Sequence, residues 1–213
     1  MQFDMFEEPI RFASLEGLVE AMNALDDDPL AALGSNMVIY RGNPSARLMI
    51  VGEAPGAEED RLGKPFVGRS GQLLDQILAA ADLDPLDDVF ITNVVFRRPP
   101  NNRKPTPAEL EYYKPYILEI IRIVDPEVIV LAGGAAAESL LEEKRGITKI
   151  RGQWYHWNGR WVMPVFHPAY LLRNPSREPG SPKSLMWRDV QAITRKLAGD
   201  AGASLGDEGP TAS

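Results

Sequence analysis

Four side chains in separate segments of the chain could contact or act on a bound ligand. They are the carboxylate of Glu53, the ring of Phe66, the carboxamide of Asn93 and the imidazole of His167. A carboxylate can stabilise a cation or orient water, and a carboxamide offers a base edge both a donor and an acceptor. An aromatic face can stack on a planar ligand. Each residue also has a structural explanation, because phenylalanines, buried amides and lone histidines commonly serve the core.

The loop around Glu53 is acidic, since GEAPGAEED contains four carboxylates within eight positions. These groups could bind a divalent metal ion or could simply be solvated, and the residues leave both alternatives open. A phosphate-binding loop is not supported, because the segment lacks GKS or GKT and its charge has the wrong sign.

The segment after His167, HPAYLLRNP, contains the consecutive leucines Leu171 and Leu172. They could attach the loop to the core, or they could be exposed and act as a wedge between bases. Phosphates attract lysine and arginine side chains. Basic residues that could meet them follow at Arg173, Arg177, Lys183 and Arg188.

Composition excludes several chemistries. The 213 residues include no cysteine and two histidines. Disulfides, thiolate zinc sites, a cysteine nucleophile and a cysteine-held iron–sulfur cluster are therefore excluded. The net charge of −7 by itself disfavours a nucleic-acid partner. However, residues 1–60 carry a net charge of −9, whereas residues 61–190 carry +3.

Short apolar runs typical of buried strands alternate with helical segments. We expect strands at residues 47–52, 89–95 and 128–131, and a hairpin of 154–157 with 160–166 across the turn Asn158-Gly159. This order predicts an α/β fold, a three-layer α/β/α sandwich around a central, mainly parallel four-stranded sheet. Ligands bind at the carboxyl ends of such strands, so the loops there should hold the site.

The remaining pattern predicts helices at 15–25, 70–83, 106–124, 133–141 and 183–198. Thr106, Pro107 and Glu109 are typical of a capped helix start. Residues 1–198 are expected to form one domain, and the small, polar residues 199–213 a disordered tail. With no apolar run of membrane-spanning length and no secretory signal, we expect a cytoplasmic protein with no membrane partner.

Taken together, the segments resemble the uracil-DNA glycosylase superfamily, and most of all its family 4, over about residues 42–197. The resemblance is carried by GEAPGAEED, GKPFVGRSGQLL, ITN, RRPPNNRKPTPAE, ITKIRGQWY and HPAYLLRNP, all in order and spacing. Each segment alone is weak evidence, whereas their combination is specific.

The resemblance implies a role for each matching position. Glu53 would stabilise the sugar cation or orient the attacking water, and His167 would stabilise the leaving uracil through O2. Asn93 would read the uracil edge, and Phe66 would stack on the base. Two further residues, Ala54 and Glu59, are expected in the uracil pocket, with Glu59 as the candidate that fills the space at C5.

The resemblance also implies that Leu171 and Leu172 lie in an intercalating loop. Beside this loop, the basic side chains of Arg173, Arg177 and Lys183 are expected to contact phosphates. The expected partner is uracil-containing DNA, single- or double-stranded, bound by a monomer. No lysine is among the residues given a catalytic or base-binding role. We therefore expect a monofunctional glycosylase without a strand-cleaving step.

This sequence departs from family 4 in its cofactor. Members usually hold a [4Fe–4S] cluster on four cysteines, and the resemblance puts those positions at Arg97, at Tyr113 and near LDDDPLAAL. None of these residues is cysteine. The expectation is therefore an enzyme with no cofactor, in which packing or hydrogen bonds replace the cluster. Two alternatives stay open: a non-catalytic protein that binds uracil or damaged DNA, and a hydrolase of small molecules.

Overall fold

A computed structural model describes residues 9–199 of the chain. Within this range one sheet contains six strands. They are β1 (Tyr40–Gly42), β2 (Leu48–Gly52), β3 (Val89–Asn93), β4 (Val128–Ala132), β5 (Tyr155–Trp157) and β6 (Arg160–Val165). Their order across the sheet is β1-β3-β2-β4-β6-β5.

The four central strands are parallel, and the two edge strands, β1 and β5, are antiparallel to their neighbours. The predicted mainly parallel sheet of four strands is therefore confirmed at its centre, and the count is corrected to six. The strand β5 comes from the predicted hairpin. The strand β1 is not predicted, because its three residues are too few to show an alternating pattern.

Helices cover both faces of the sheet. Within the described residues they are α1 (Leu15–Asn23), α2 (Ala57–Leu62), α3 (Arg69–Ala79), α4 (Pro107–Val124), α5 (Gly134–Leu141), α6 (Ile147–Ile150), α7 (Pro168–Arg173) and α8 (Pro182–Leu197). One core cluster joins α1, α4 and α5 to one face of the strands, and a second joins α3, α7 and α8 to the other. Successive residues of β2 alternate between the two clusters, as the pleat requires. The three-layer prediction is confirmed.

The start of α4 follows the predicted capping pattern. The Thr106 hydroxyl accepts the Glu109 N–H at 3.2 Å, and the Glu109 carboxylate accepts the Thr106 N–H at 2.8 Å. This reciprocal pair satisfies two donors that the first helical turn leaves free. It fixes where α4 begins, and therefore where the preceding loop must end.

Two predicted loops contain short helices. The loop at 53–68 includes α2, and the loop at 167–182 includes α7. Six residues give fewer than two helical turns, so neither helix shows a readable apolar period. Of the predicted tail, residues 200–213 lie outside the described range. No helix between residues 9 and 199 is long and apolar enough to cross a membrane.

Candidate active site

The candidate site begins where β2 and β3 end side by side. Gly52 pairs with Asn93 in the parallel register, so the residues that follow each strand emerge at the same edge of the sheet. A cavity of about 560 Å³ opens at this edge. Its walls include all six residues with predicted catalytic or uracil-binding roles: Glu53, Ala54, Glu59, Phe66, Asn93 and His167.

Phe66 is held in an uncommon conformation at the cavity wall. Its backbone φ is +54°, in the left-handed region that aromatic residues seldom adopt. The Arg41 guanidinium donates to the carbonyl oxygens of Pro65 at 2.9 Å and of Phe66 at 3.2 Å. A Cβ on Gly52 would lie 2.5 Å from the Phe66 ring, and a Cβ on Gly71 would lie 1.8 Å from its carbonyl oxygen. Glycine at both positions therefore lets Phe66 reach the cavity.

Glu59 connects the two loops that form this wall. Its carboxylate is buried and accepts the N–H groups of Gly56 at 3.2 Å, Val67 at 3.0 Å and Gly68 at 2.8 Å. A buried carboxylate needs such partners, because an unsatisfied charge in the interior is costly. The observed contacts of Glu59 thus position the segment that carries Phe66.

Asn93 ends β3 with its side chain 2% exposed. A Cβ on Gly52 would lie 2.4 Å from the Asn93 Oδ1, just as it would clash with the Phe66 ring. The close approach again depends on glycine at position 52. A buried carboxamide that borders a cavity can offer one donor and one acceptor to a ligand there.

His167 precedes α7 and is its cap. Its Nδ1 accepts the Ala169 N–H at 3.1 Å, and its ring stacks on that of Phe66 with centroids 5.7 Å apart. Burial, and to a lesser extent the charge of Arg173, lower the pKa of the imidazole to about 4, although the charge of Glu59 opposes them. The ring is therefore neutral at pH 7, and because Nδ1 is an acceptor, its proton is on Nε2.

Glu53 follows β2 directly and is half-buried in the cavity wall. Burial raises the pKa of its carboxyl group above the usual value, and the positive charge of Lys104 lowers it. Lys104 lies in the same wall, in the loop between β3 and α4. The carboxyl group of Glu53 and the ammonium group of Lys104 thus lie in the same wall of the cavity.

Two residues of this site are not predicted from the sequence. Arg41 is buried, supports the Phe66 backbone and pairs with Asp75 of α3. The sequence signal available was an arginine between apolar residues in VIYRG. Lys104 belongs to the motif RRPPNNRKPTPAE, yet its local sequence does not indicate which way it faces.

The two leucines after His167 have different environments. Leu171 is fully buried and belongs to the core cluster on that face of the sheet. Leu172 is 36% exposed. A fully buried side chain cannot reach DNA, so the predicted DNA contact of Leu171 is not supported, whereas that of Leu172 stays a prediction. Of the basic residues, Arg173 borders the cavity at the carboxyl edge of the sheet, whereas Arg177 and Lys183 border a second cavity.

A polar network occupies the region that the resemblance assigns to an iron–sulfur cluster. The Asp28 carboxylate accepts from the Arg97 guanidinium at 2.8 Å and from the Tyr113 hydroxyl at 2.6 Å. Arg97 also donates to the carbonyl oxygen of Ser35. The side chains of Asp28 and Tyr113 are fully buried. Within residues 9–199, no group of three or more acidic, histidine or cysteine side chains is suited to a metal ion.

The fold and the site together define an α/β protein with a cavity at the carboxyl edge of its sheet, lined by Glu53, Phe66, Asn93 and His167. The family model of the uracil DNA glycosylase superfamily matches residues 39–191. The chain is 46% identical to a type-4 uracil-DNA glycosylase of Thermotoga maritima, over 70% of this chain and 79% of the relative. It is 40% identical to a type-4 enzyme of Sulfurisphaera tokodaii, over 76% and 78%. This chain belongs to the uracil-DNA glycosylase superfamily.

Proposed function

We propose that this protein is a monofunctional uracil-DNA glycosylase that hydrolyses the N-glycosidic bond of uracil in DNA and so starts base excision repair. The observation that carries the proposal is a single cavity bordered by Glu53, Phe66, Asn93 and His167. The relatives named as type-4 uracil-DNA glycosylases support the same substrate.

Recognition of uracil is assigned to Asn93 and Phe66. The Asn93 carboxamide would donate to a carbonyl oxygen of the base and accept from its N3–H, which is a pattern that cytosine does not match. The Phe66 ring would lie against the face of the base. Rigid support of Phe66 by Arg41 and Glu59 favours selectivity, because a preformed slot excludes bases of a different shape.

His167 is assigned to the leaving base. Breaking the N-glycosidic bond leaves negative charge on uracil, which is shared with its O2. The neutral ring would donate its Nε2 proton to O2, and the hydrogen bond would strengthen as that charge develops. Removing one preorganised donor of this kind typically costs about 10²–10³ in rate.

Glu53 is assigned to the sugar. The same bond cleavage leaves positive charge on the deoxyribose, and a carboxylate beside it would stabilise that cation and orient the attacking water. Lys104 helps to keep the group ionised. Because the exposed Lys104 borders the same cavity, the activity test below also measures strand cleavage.

We propose that this glycosylase works without an iron–sulfur cluster. The residues at the implied ligand positions do not fit one, because they offer no thiolate and their side chains are hydrogen-bonded to each other. Asp28, Arg97 and Tyr113 would replace the cluster as the link between three chain segments. Iron and acid-labile sulfide analysis of the purified protein should detect neither, and stoichiometric amounts of both would refute this part.

The activity is tested by release of free uracil from single- and double-stranded oligonucleotides. We expect release from at least one of them, with the abasic strand left intact and no adduct trapped by borohydride. Glu53→Gln and His167→Ala should lower the single-turnover rate far more than the affinity. Binding without release by the folded wild-type protein would instead establish a non-catalytic uracil-DNA-binding protein.

The proposal extends to the setting of the enzyme. We propose that it acts as a monomer in the cytoplasm, on DNA in solution. Sedimentation velocity should show a single symmetric peak at about 24 kDa, because the chain has a mass of 23.6 kDa.

A further inference from the structure

A second cavity, of about 440 Å³, lies on the other side of α7 from the candidate active-site cavity. We refer to it as the Trp187 groove. Its apolar walls come from three helices, α3, α7 and α8. They are formed by Leu73, Ile77, Leu171, Met186 and Trp187. Trp187 is 38% exposed, so part of its indole ring is open to a ligand.

The charge around the Trp187 groove is of one sign. Arg177 and Lys183 border it, and its described lining contains no aspartate or glutamate. The groove is lined by residues between positions 73 and 187, in the part of the chain that carries +3, whereas the chain as a whole carries −7. An exposed aromatic face between cations is the combination that binds an unpaired base with its flanking phosphates.

The Trp187 groove lies close to the candidate active-site cavity, because the two share helix α7. Ala169 and Arg173 of α7 border that cavity, and Leu171 of the same helix borders the Trp187 groove. A helix with its side chains is about 10 Å across. Since stacked nucleotides rise about 3.4 Å per residue along a strand, roughly three nucleotides separate the two places.

We propose that the Trp187 groove binds an unpaired nucleobase of the uracil-containing strand, a few nucleotides from the uracil, by stacking it on the Trp187 indole. This inference rests on the proposed function. The enzyme would then bind a short stretch of single-stranded DNA rather than the uracil alone. Arg177 and Lys183 would bind the phosphates on either side of the stacked base. This binding also predicts a minimum substrate length for full affinity.

An abasic scan tests the proposal. Single-stranded oligonucleotides of about 12 nucleotides with a central uracil would each carry one abasic residue, at successive positions on both sides of the uracil. We expect wild-type KM to rise about fivefold or more at one position, two to four nucleotides away, as loss of one base–aromatic stack implies. Trp187→Ala should raise KM on the intact oligonucleotide and be insensitive to the abasic residue at that position.

Two control variants separate stacking from general damage. Trp187→Phe keeps an aromatic face and should retain most of the affinity. Trp161→Ala removes a tryptophan that is similarly exposed, at 37%, but lies at the start of β6, away from the carboxyl edge of the sheet. That variant should leave the scan unchanged.

Three results would overturn the inference. The first is an identical abasic scan for wild type and Trp187→Ala. The second is a rise in KM for Trp187→Ala that is as large on the shortest cleavable oligonucleotide as on the oligonucleotide of about 12 nucleotides. The third is a change in oligomeric state without any dependence on oligonucleotide length, since it would make the groove a protein interface. Failure of the proposed function is distinguishable, because the wild-type protein would then release no uracil from any substrate.

Discussion

At Glu53, burial and a neighbouring charge have opposite effects on ionisation. Burial raises the pKa of the carboxyl group, and Lys104 lowers it. Only the ionised carboxylate can stabilise a sugar cation, so activity should fall as pH drops through the pKa of Glu53. Lys104 therefore extends activity toward lower pH although it takes no part in bond cleavage.

Replacing Lys104 should shift the acidic limb of the pH profile. In Lys104→Met the pKa of Glu53 rises, so the single-turnover rate should begin to fall at a higher pH than in wild type, with an unchanged plateau near pH 8. Single-turnover rates on a single-stranded uracil oligonucleotide between pH 4.5 and 8 measure this. Lys149→Met, at an exposed position on α6, is the matched control. An acidic limb that does not move would contradict the role of Lys104.

The sequence predicts which residues form the site better than it predicts which residues hold them in position. Glu53, Asn93 and His167 could be grouped because each lies at the end of a strand or just after it, and strands of a parallel sheet end at one edge. Arg41 could not be grouped with them. Its contacts reach residues 24, 25 and 34 positions away, and no local pattern encodes such contacts.

At the scale of one element, α7 decides which leucine faces solvent. Consecutive residues of a helix point about 100° apart, so Leu171 and Leu172 cannot both face the same way. The structure buries the first and exposes the second. The sequence predicts a loop here, and in a loop both side chains could have been exposed, so the distinction depends on recognising six helical residues.

Alanine at Leu172 should therefore affect activity, whereas alanine at Leu171 should affect stability. Leu172→Ala should lower excision from duplex substrate more than from single strands, because a wedge matters only where a base must leave the stack. Leu171→Ala should instead destabilise the fold by about 2–5 kcal/mol, as for other buried leucines. Paired rate measurements and urea unfolding test both. Equal losses on duplex and single strands for Leu172→Ala would remove the wedge role.

The network of Asp28, Arg97 and Tyr113 connects three elements: the segment after α1, the loop after β3 and helix α4. Burial and the Asp28 carboxylate raise the pKa of Tyr113, so its hydroxyl stays protonated and remains a donor. Composition alone shows that the cluster ligands are missing. The identity of the partner, one of three consecutive aspartates, follows only from the packing.

Breaking this network should destabilise the protein without touching the site. Asp28→Ala leaves the partly buried Arg97 guanidinium and the buried Tyr113 hydroxyl without their shared carboxylate, so we expect a loss of about 3–5 kcal/mol in the free energy of unfolding. Tyr113→Phe leaves one buried oxygen underused and should cost about 1–3 kcal/mol. Urea unfolding measures both, and Asp26→Ala, at an exposed neighbouring position, is the control. Similar stability of Asp28→Ala and wild type would show that the network does not replace the cluster.

For the whole molecule, the alternation of buried strands and helices was enough to predict the layers and the edge of the sheet that holds the site. The sequence could not predict the full width of the sheet, since β1 is recruited by pairing with β3 rather than by its own pattern. The N-terminal segment is another case of a long-range contact. Arg11 and Phe12 bind Glu119, more than 100 residues away, in the middle of α4.

Glu119 makes this long-range contact sensitive to acid. Its buried carboxylate accepts from Arg122 at 2.8 Å, from the Phe12 N–H at 2.6 Å and from Arg11 at 3.0 Å. The Arg122 guanidinium is the main cause that lowers the pKa of Glu119 to about 2, from 4.5. Because the folded-state pKa is the lower one, the contribution to stability is complete above about pH 4.5 and is lost as pH falls toward about 2.

Glu119→Gln should therefore lower the free energy of unfolding at pH 7 by about 1.5–3 kcal/mol, the range for hydrogen bonds to charged groups. The difference from wild type should shrink as pH falls from about 4.5 toward about 2, because the wild-type carboxyl then becomes neutral as well. Urea unfolding at several pH values between 3 and 7 follows this convergence. Glu111→Gln, at an exposed position of the same helix, should show no such pH dependence. A constant difference between Glu119→Gln and wild type across that range would mean that the ionisation of Glu119 does not hold the N-terminal segment to α4.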